Sequence, residues 1–126
     1  LLAEDNQINQ RVASLFLKKL GLIPDVATDG LEALSAVARQ RYDVILMDVQ
    51  MPRMDGLEAT RRICAQYPLE IRPRIIGLTA HALASAREEC FRAGMSDFVT
   101  KPYEMEKLAA ALQRAEAGVK SRNYQS

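Results

Sequence analysis

Short apolar runs alternate along the chain with longer stretches in which apolar residues recur at helical spacing. Residues 44–47 form an unbroken apolar run with two β-branched members, which is typical of a strand buried on both faces of a sheet. Residues 23–27 form a run that contains a proline, which indicates an edge strand. Similar short runs occupy residues 1–3, 75–78 and 98–99. The pattern therefore predicts five strands.

The stretches between these runs have the apolar period and the end signals of helices. Asn6 is suited to cap the first helix and Gly21 to stop it. Asp55 and Glu58 have the spacing of a capping box at the start of the third. The fifth helix is predicted to end by Gly118. The apolar face of the first helix is predicted to consist of Ile8, Val12, Leu15, Phe16 and Leu20.

Strands that alternate with helices predict a three-layer, doubly wound α/β domain with one five-stranded parallel sheet and five helices. The 126 residues suit one domain with a single core. We expect the domain to occupy residues 1–118 and the polar residues 119–126 to form a tail or the start of a linker. Leu1 is not an initiator methionine, so we expect the chain to be a segment of a longer protein.

Composition and charge restrict the possible partners. The chain has 17 basic and 16 acidic residues and a formal charge of +1, which gives no reason to expect nucleic-acid binding. No apolar run approaches the ~20 residues that span a bilayer, so we expect no membrane contact and a cytoplasmic location. Cys64 and Cys90 are far apart and are expected to be small buried or half-buried thiols.

Polar side chains follow four of the predicted strands. They are Glu4 and Asp5 after the first strand, Asp48 after residues 44–47, Thr79 after residues 75–78 and Lys101 after the fifth strand. Because the carboxyl ends of parallel strands open onto the crevice where ligands bind, we expect these side chains to form one site. For Asp48 alone, an aspartate that caps the next turn is the alternative.

The residue types in this set favour phosphoryl chemistry on a metal. Neighbouring carboxylates repel one another unless a cation or a shared proton relieves the repulsion. Oxygen donors without histidine or cysteine favour Mg²⁺ over zinc, and Mg²⁺ attracts phosphate oxygens. Lys101 would add positive charge and Thr79 a hydroxyl donor. Asp48 is then placed to attack a phosphoryl group and form an acyl phosphate.

Four motifs together resemble the receiver domains of two-component response regulators, and the resemblance covers essentially the whole chain. They are Glu4-Asp5, the segment from Met47 to Gly56 around Asp48, Thr79-Ala80 and Lys101-Pro102. The opening Ala3-Glu4-Asp5-Asn6 is most similar to receivers of hybrid sensor histidine kinases. The resemblance implies the sheet order 2-1-3-4-5 and a cis bond between Lys101 and Pro102.

The resemblance also implies a role for each site residue. Asp48 would accept a phosphoryl group from a histidine kinase or a histidine phosphotransfer protein, and the isolated domain would catalyse its own phosphorylation and dephosphorylation. A histidine kinase is one candidate for the longer parent chain. Thr79 and Lys101 would contact the phosphoryl oxygens. The implied Mg²⁺ ligands are Asp5, Asp48 and the backbone carbonyl of Gln50, with Glu4 helping through water.

Phe98 matches the switch aromatic of such domains. Phosphorylation would draw Thr79 toward the phosphoryl group and let Phe98 turn inward, altering the face formed by the fourth helix, the fifth strand and the fifth helix. Plain core packing is the alternative for Phe98. His81 occupies a position that modulates dephosphorylation in similar domains, and an exposed residue at a helix start is its alternative.

Other functions remain open at this point. A receiver-like scaffold that is never phosphorylated would have the same fold. A haloacid-dehalogenase-type phosphatase would need a second acid two residues after the nucleophile, where this chain has Gln50. A flavodoxin-like FMN binder would need a Ser/Thr/Gly-rich loop after the first strand, where Glu4 and Asp5 would repel the phosphate.

Overall fold

The computed structural model describes residues 1–81 and 83–125, with side chains as far as residue 118. Its sheet has five strands in the order β2-β1-β3-β4-β5, and every pair of neighbours is parallel. The predicted topology is confirmed. The strands are β1 (Leu2–Ala3), β2 (Val26–Ala27), β3 (Val44–Asp48), β4 (Arg74–Thr79) and β5 (Asp97–Thr100).

Helices cover both faces of the sheet, which confirms the predicted three layers. α2, α3 and α4 pack on one face around Ile45 and Met47, and α1 and α5 pack on the other around Leu46. Successive residues of β3 thus point to opposite faces, as a doubly covered strand requires. The helices are α1 (Gln7–Lys19), α2 (Gly30–Arg39), α3 (Gly56–Gln66), α4 (Ala84–Ala93) and α5 (Met105–Gln125).

The predicted caps hold the helices that leave the carboxyl edge of the sheet. Asn6 Oδ1 accepts a hydrogen bond from the Asn9 backbone N–H at 3.0 Å, and Asp55 Oδ1 accepts one from the Glu58 backbone N–H at 2.8 Å. The Glu58 carboxylate pairs with two arginines of α3 instead of reaching back to the cap. Each cap fixes the start of a helix next to a predicted site residue.

The apolar residues predicted for α1 lie on a helix, as expected, but of these five only Val12 and Phe16 pack against the core cluster on this side of the sheet. Ala13 and Leu17 are buried, whereas Ile8 is 72% exposed and Leu15 is 52% exposed. Apolar residues lie on adjacent sides of this helix, and the side that meets the sheet is the one with the small Ala13. A helix with a wide apolar surface does not reveal from its period alone which part is buried.

The predicted end of α5 was wrong, because the helix continues past Gly118 to Gln125. A single glycine costs a helix only about 1 kcal/mol relative to alanine. A Cβ at Gly118 would lie against the Arg74 guanidinium, so this glycine makes room for a side chain of β4. Of the predicted tail, residues 119–125 belong to α5, and Ser126 lies outside the described residues.

Among the described residues, no helix combines the length and the apolar character needed to cross a membrane. Cys90 is buried, Cys64 is half-buried and both thiols are free, which confirms their predicted roles.

Candidate functional site

The carboxyl edge of the sheet carries a cleft of about 510 Å³. All of the residues predicted to form the site, except Phe98, line this cleft: Glu4, Asp5, Asp48, Gln50, Thr79 and Lys101. A second cavity of about 560 Å³ has a mainly apolar lining and contains none of them. The strand ends therefore come together as the parallel topology requires.

Asp48 is the last residue of β3, and its side chain is almost fully buried. Its Oδ1 accepts a hydrogen bond from the Gln50 backbone N–H at 3.1 Å. The start of α3 packs directly against this strand end. The contact is so close that a Cβ at Gly56 would overlap the carbonyl oxygen of Asp48. Close approach of backbone to backbone thus fixes the aspartate at the floor of the cleft.

Three carboxylates meet beside Asp48. One oxygen each from Glu4, Asp5 and Asp48 lies within 4.8 Å of the others. Burial, followed by the charge of Glu4, raises the pKa of Asp48 to about 7, although Lys101 opposes both effects. The cluster therefore holds more negative charge than the protein compensates, as predicted from the strand ends.

Lys101 brings a positive charge into this cluster. It lies at the end of β5, and its bond to Pro102 is cis, as the resemblance implied. The Lys101 Nζ lies 3.0 Å from Asp48 Oδ2 and 3.2 Å from Glu4 Oε2. One ammonium group thus bridges the ends of β1 and β3.

Thr79 ends β4, and its side chain is buried. Its Oγ1 accepts a hydrogen bond from the His81 backbone N–H at 3.1 Å, which ties the threonine to the segment that leads into α4. The His81 side chain is exposed three residues before the start of α4, in agreement with the alternative given for it.

Sequence reasoning missed Tyr103. Its hydroxyl donates to Glu4 Oε2 at 2.6 Å, and the side chain is buried. Burial and the charge of Glu4 raise the pKa of Tyr103. Burial alone would raise the pKa of Glu4, but the Tyr103 hydroxyl and the Lys101 ammonium outweigh burial and lower it. A tyrosine two residues after Lys101 was the only signal, and it does not show where the hydroxyl points.

Phe98 belongs to β5 and lies outside the cleft, with its ring packed against α4. Its ring is half-buried and stands edge-on to Phe91 with 6.2 Å between the ring centroids. The Arg87 guanidinium lies 4.9 Å from the centre of the Phe98 ring. Both partners belong to α4, so the position of Phe98 is coupled to that helix.

Comparison with known proteins agrees with this geometry. The family model described as the response regulator receiver domain matches residues 1–113. The chain is 41% identical over 127 residues to hybrid signal transduction histidine kinase K of Dictyostelium discoideum. It is 39% identical over 114 residues to the aerobic respiration control sensor protein ArcB of Escherichia coli. These matches cover 91% and 90% of this chain but 10% and 14% of those relatives, so the chain spans a small part of their length.

A solved structure supports the same assignment. The receiver domain of the sensor histidine kinase PA1611 from Pseudomonas aeruginosa superposes with a TM-score of 0.80 at 45% identity, covering 90% of this chain and 92% of that one. That structure is described as having a magnesium ion coordinated in its active site cleft. The predicted similarity to receivers of hybrid kinases is confirmed. The chain belongs to the response regulator receiver domains of two-component phosphorelay systems.

Proposed function

We propose that Asp48 accepts a phosphoryl group from the phosphohistidine of a histidine kinase or a histidine phosphotransfer protein. The observation that carries this proposal is the gathering of three carboxylates and the Lys101 ammonium in one cleft, with Asp48 at its floor. The outcome of the reaction would be a change in the surface formed by α4, β5 and α5.

The donor set of the cleft fits Mg²⁺. Its carboxylates are hard oxygen donors, and no histidine or cysteine belongs to the described cluster. Asp5, Asp48 and the Gln50 carbonyl would hold the ion, with Glu4 acting through water. When bound, Mg²⁺ would neutralise the carboxylates and stabilise the charge that develops on the phosphoryl oxygens. The magnesium in the Pseudomonas receiver supports this part of the proposal.

Asp48 supplies the nucleophile of the proposed transfer. A carboxylate oxygen attacks the phosphorus atom, the phosphorus–nitrogen bond of the phosphohistidine breaks, and its electron pair returns to the imidazole nitrogen. The product is an acyl phosphate on Asp48. Lys101 pairs with a phosphoryl oxygen, and the Thr79 hydroxyl donates to another.

We propose that Thr79 and Phe98 transmit this change. A Thr79 hydroxyl that turns to donate to a phosphoryl oxygen gives up the hydrogen bond that it donates to the His81 backbone carbonyl at 3.4 Å, in the segment that precedes α4. Phe98 contacts Arg87 and Phe91 of α4, so its inward rotation would release that helix. Because Phe98 has no hydroxyl, the readout at this position would be steric.

The remaining parts of the proposal concern the boundaries of the domain, nucleic-acid binding and the location of the domain in the cell. We propose that the receiver domain occupies residues 1–118, which is supported by the family match over residues 1–113. A formal charge of +1 gives this domain no electrostatic attraction for nucleic acid. Its relatives are signalling kinases, and a cytoplasmic position facing a kinase suits such a domain.

The test is phosphorylation of the purified chain by acetyl phosphate and Mg²⁺, followed by intact mass spectrometry. The parent should gain one phosphoryl group, and Asp48→Asn should gain none. Asp55→Asn is the matched control, because Asp55 is an exposed aspartate that caps α3, and asparagine caps equally well. Labelling of Asp48→Asn at the parental level would overturn the proposal.

A further inference from the structure

We propose that Tyr103 is a positioning residue of this site. Its hydroxyl holds the Glu4 carboxylate in place, so that Glu4 anchors Lys101 beside Asp48 and does not bind the divalent ion directly. The inference rests on the proposed function, since it concerns the acceptor cleft. It assigns Tyr103 to the site and gives the neighbouring acids Glu4 and Asp5 different roles.

The acceptor positions of Glu4 are all taken by protein donors. Its side chain is fully buried. Oε1 accepts from the Asn6 backbone N–H at 3.2 Å, from Asn9 Nδ2 at 3.4 Å and from Lys101 Nζ at 3.5 Å. Oε2 accepts from the Tyr103 hydroxyl at 2.6 Å and lies 3.2 Å from Lys101 Nζ. A carboxylate oxygen has two lone pairs, so direct ligation of an ion would require Glu4 to lose one of these partners.

Asp5 differs from Glu4 in this respect. Its side chain is exposed and lines the cleft, and one of its oxygens lies within 4.8 Å of an Asp48 oxygen. It can therefore turn toward a cation without breaking a buried hydrogen bond. The geometry separates the two acids into an open ligand, Asp5, and an occupied anchor, Glu4.

The Tyr103 hydroxyl is a strong and fixed donor. At 2.6 Å its bond to Glu4 has the length of a charge-assisted hydrogen bond. The ring belongs to the core cluster on the α1 and α5 face, together with Leu2 and Leu108, and is 8% exposed. Packing therefore holds the ring, and the hydroxyl in turn holds the carboxylate.

Loss of this hydroxyl should displace Lys101. Glu4 Oε2 would then lack its neutral donor, and the remaining donor on that oxygen is the Lys101 ammonium. The ammonium now lies between Glu4 and Asp48, at 3.2 Å and 3.0 Å. A less satisfied Glu4 would draw it away from Asp48 and from an incoming phosphoryl group.

The experiment compares Tyr103→Phe with the parent in two assays. At saturating Mg²⁺, the rate of labelling by acetyl phosphate should fall about tenfold, as expected for a lost hydrogen bond to a charged group. The Mg²⁺ dissociation constant, measured by calorimetry without a phosphoryl donor, should change less than about twofold, because Asp5 and Asp48 still bind the ion. A general structural defect would weaken both properties together.

Tyr42→Phe is the matched control. The Tyr42 hydroxyl donates to Asp25 Oδ2, also at 2.6 Å, but this pair does not line the acceptor cleft. Its removal should alter neither the labelling rate nor the Mg²⁺ affinity. Glu4→Gln provides a second route, because it removes the anchoring charge while keeping the shape. Addition of Tyr103→Phe to Glu4→Gln should cause little further loss.

Each outcome decides the inference. A parental labelling rate in Tyr103→Phe overturns it, and so does an unchanged maximal rate with a weaker Mg²⁺ affinity, which would make Glu4 a ligand. If Tyr103→Phe does not fold, Glu4→Gln alone must show the slow labelling rate at saturating Mg²⁺, where a weaker Mg²⁺ affinity no longer limits the rate. If the parent is not labelled at all, the proposed function fails. The ¹³C carboxylate shift of Glu4 then tests the contact itself: it must change in Tyr103→Phe and not in Tyr42→Phe.

Discussion

The Lys101 Nζ lies 3.0 Å from Asp48 Oδ2, although the two residues end strands that are not neighbours in the sheet. β4 separates β3 from β5, so the lysine side chain reaches across the end of that strand. Its four-carbon stem suits this reach, and its ammonium group then meets the carboxylate in a cleft with limited access to water. The pair joins the site to the strand that carries Phe98.

Lys101→Ala should separate metal binding from switching. The carboxylates remain, so we expect Mg²⁺ affinity in calorimetry to stay within about threefold of the parent. Phosphorylation should become about tenfold slower or worse and should no longer shift the backbone amide resonances of α4. Lys107→Ala is the control, because Lys107 lies on the surface and pairs with the exposed Glu104, 3.6 Å away. Normal amide shifts of α4 in phosphorylated Lys101→Ala would contradict the role of Lys101.

The raised pKa of Asp48 predicts a pH-dependent stability in the absence of divalent ions. Burial, followed by the charge of Glu4, raises this pKa to about 7, so the folded protein binds a proton more tightly than the unfolded chain. The free energy of unfolding should therefore fall as pH rises from about 4 to about 7, by about 3 kcal/mol. Glu4, whose pKa is lowered, has the opposite slope, but only at more acidic pH.

Urea unfolding in EDTA across this pH range tests the prediction. Asp48→Asn should lack the downward slope and should be more stable than the parent above pH 7, because the buried charge is gone. Saturating Mg²⁺ should reduce the slope in the parent, since a cation compensates the carboxylates. Equal slopes for the parent and Asp48→Asn in EDTA would show that Asp48 does not carry the shift.

Phe98 should couple the acceptor site to α4. We expect Phe98→Ala to be phosphorylated at nearly the parental rate but to show no change in the α4 amide resonances on phosphorylation. Phe91→Ala is the comparison, because Phe91 is an exposed ring of α4 that meets the edge of Phe98. That variant keeps the contact between Phe98 and Arg87, so it should show a smaller change and not lose the change altogether. A normal response of α4 in Phe98→Ala would support plain core packing for this ring.

The acceptor site was predictable because backbone topology alone assembles it. Once β1, β3, β4 and β5 are parallel, Asp5, Asp48, Thr79 and Lys101 must end at one edge. Contacts between side chains of different helices, strands or loops could not be predicted in this way. Tyr103 meets Glu4 from 99 positions away in sequence, and the direction of its hydroxyl depends on core packing that no local pattern encodes.

The helix ends show the same limit. Asn6 and Asp55 cap their helices as predicted, because a cap depends on residues three positions apart. Gly118 does not end α5. A side chain at this position would instead collide with the Arg74 guanidinium, which belongs to a strand distant in sequence. Local signals were reliable where the interaction is local.

The buried face of α1 gives the sharpest stability test of the fold. Leu17 is buried against the sheet, whereas Leu15 is 52% exposed. Leu17→Ala should lower the free energy of unfolding by about 2–5 kcal/mol, through lost burial and the cavity left behind. Leu15→Ala, with the same chemical change on the same helix, should cost about 0.5 kcal/mol or less. Urea denaturation at fixed Mg²⁺ measures both. Equal losses would mean that Leu15 is buried as deeply as Leu17, and the orientation of α1 described above would then be wrong.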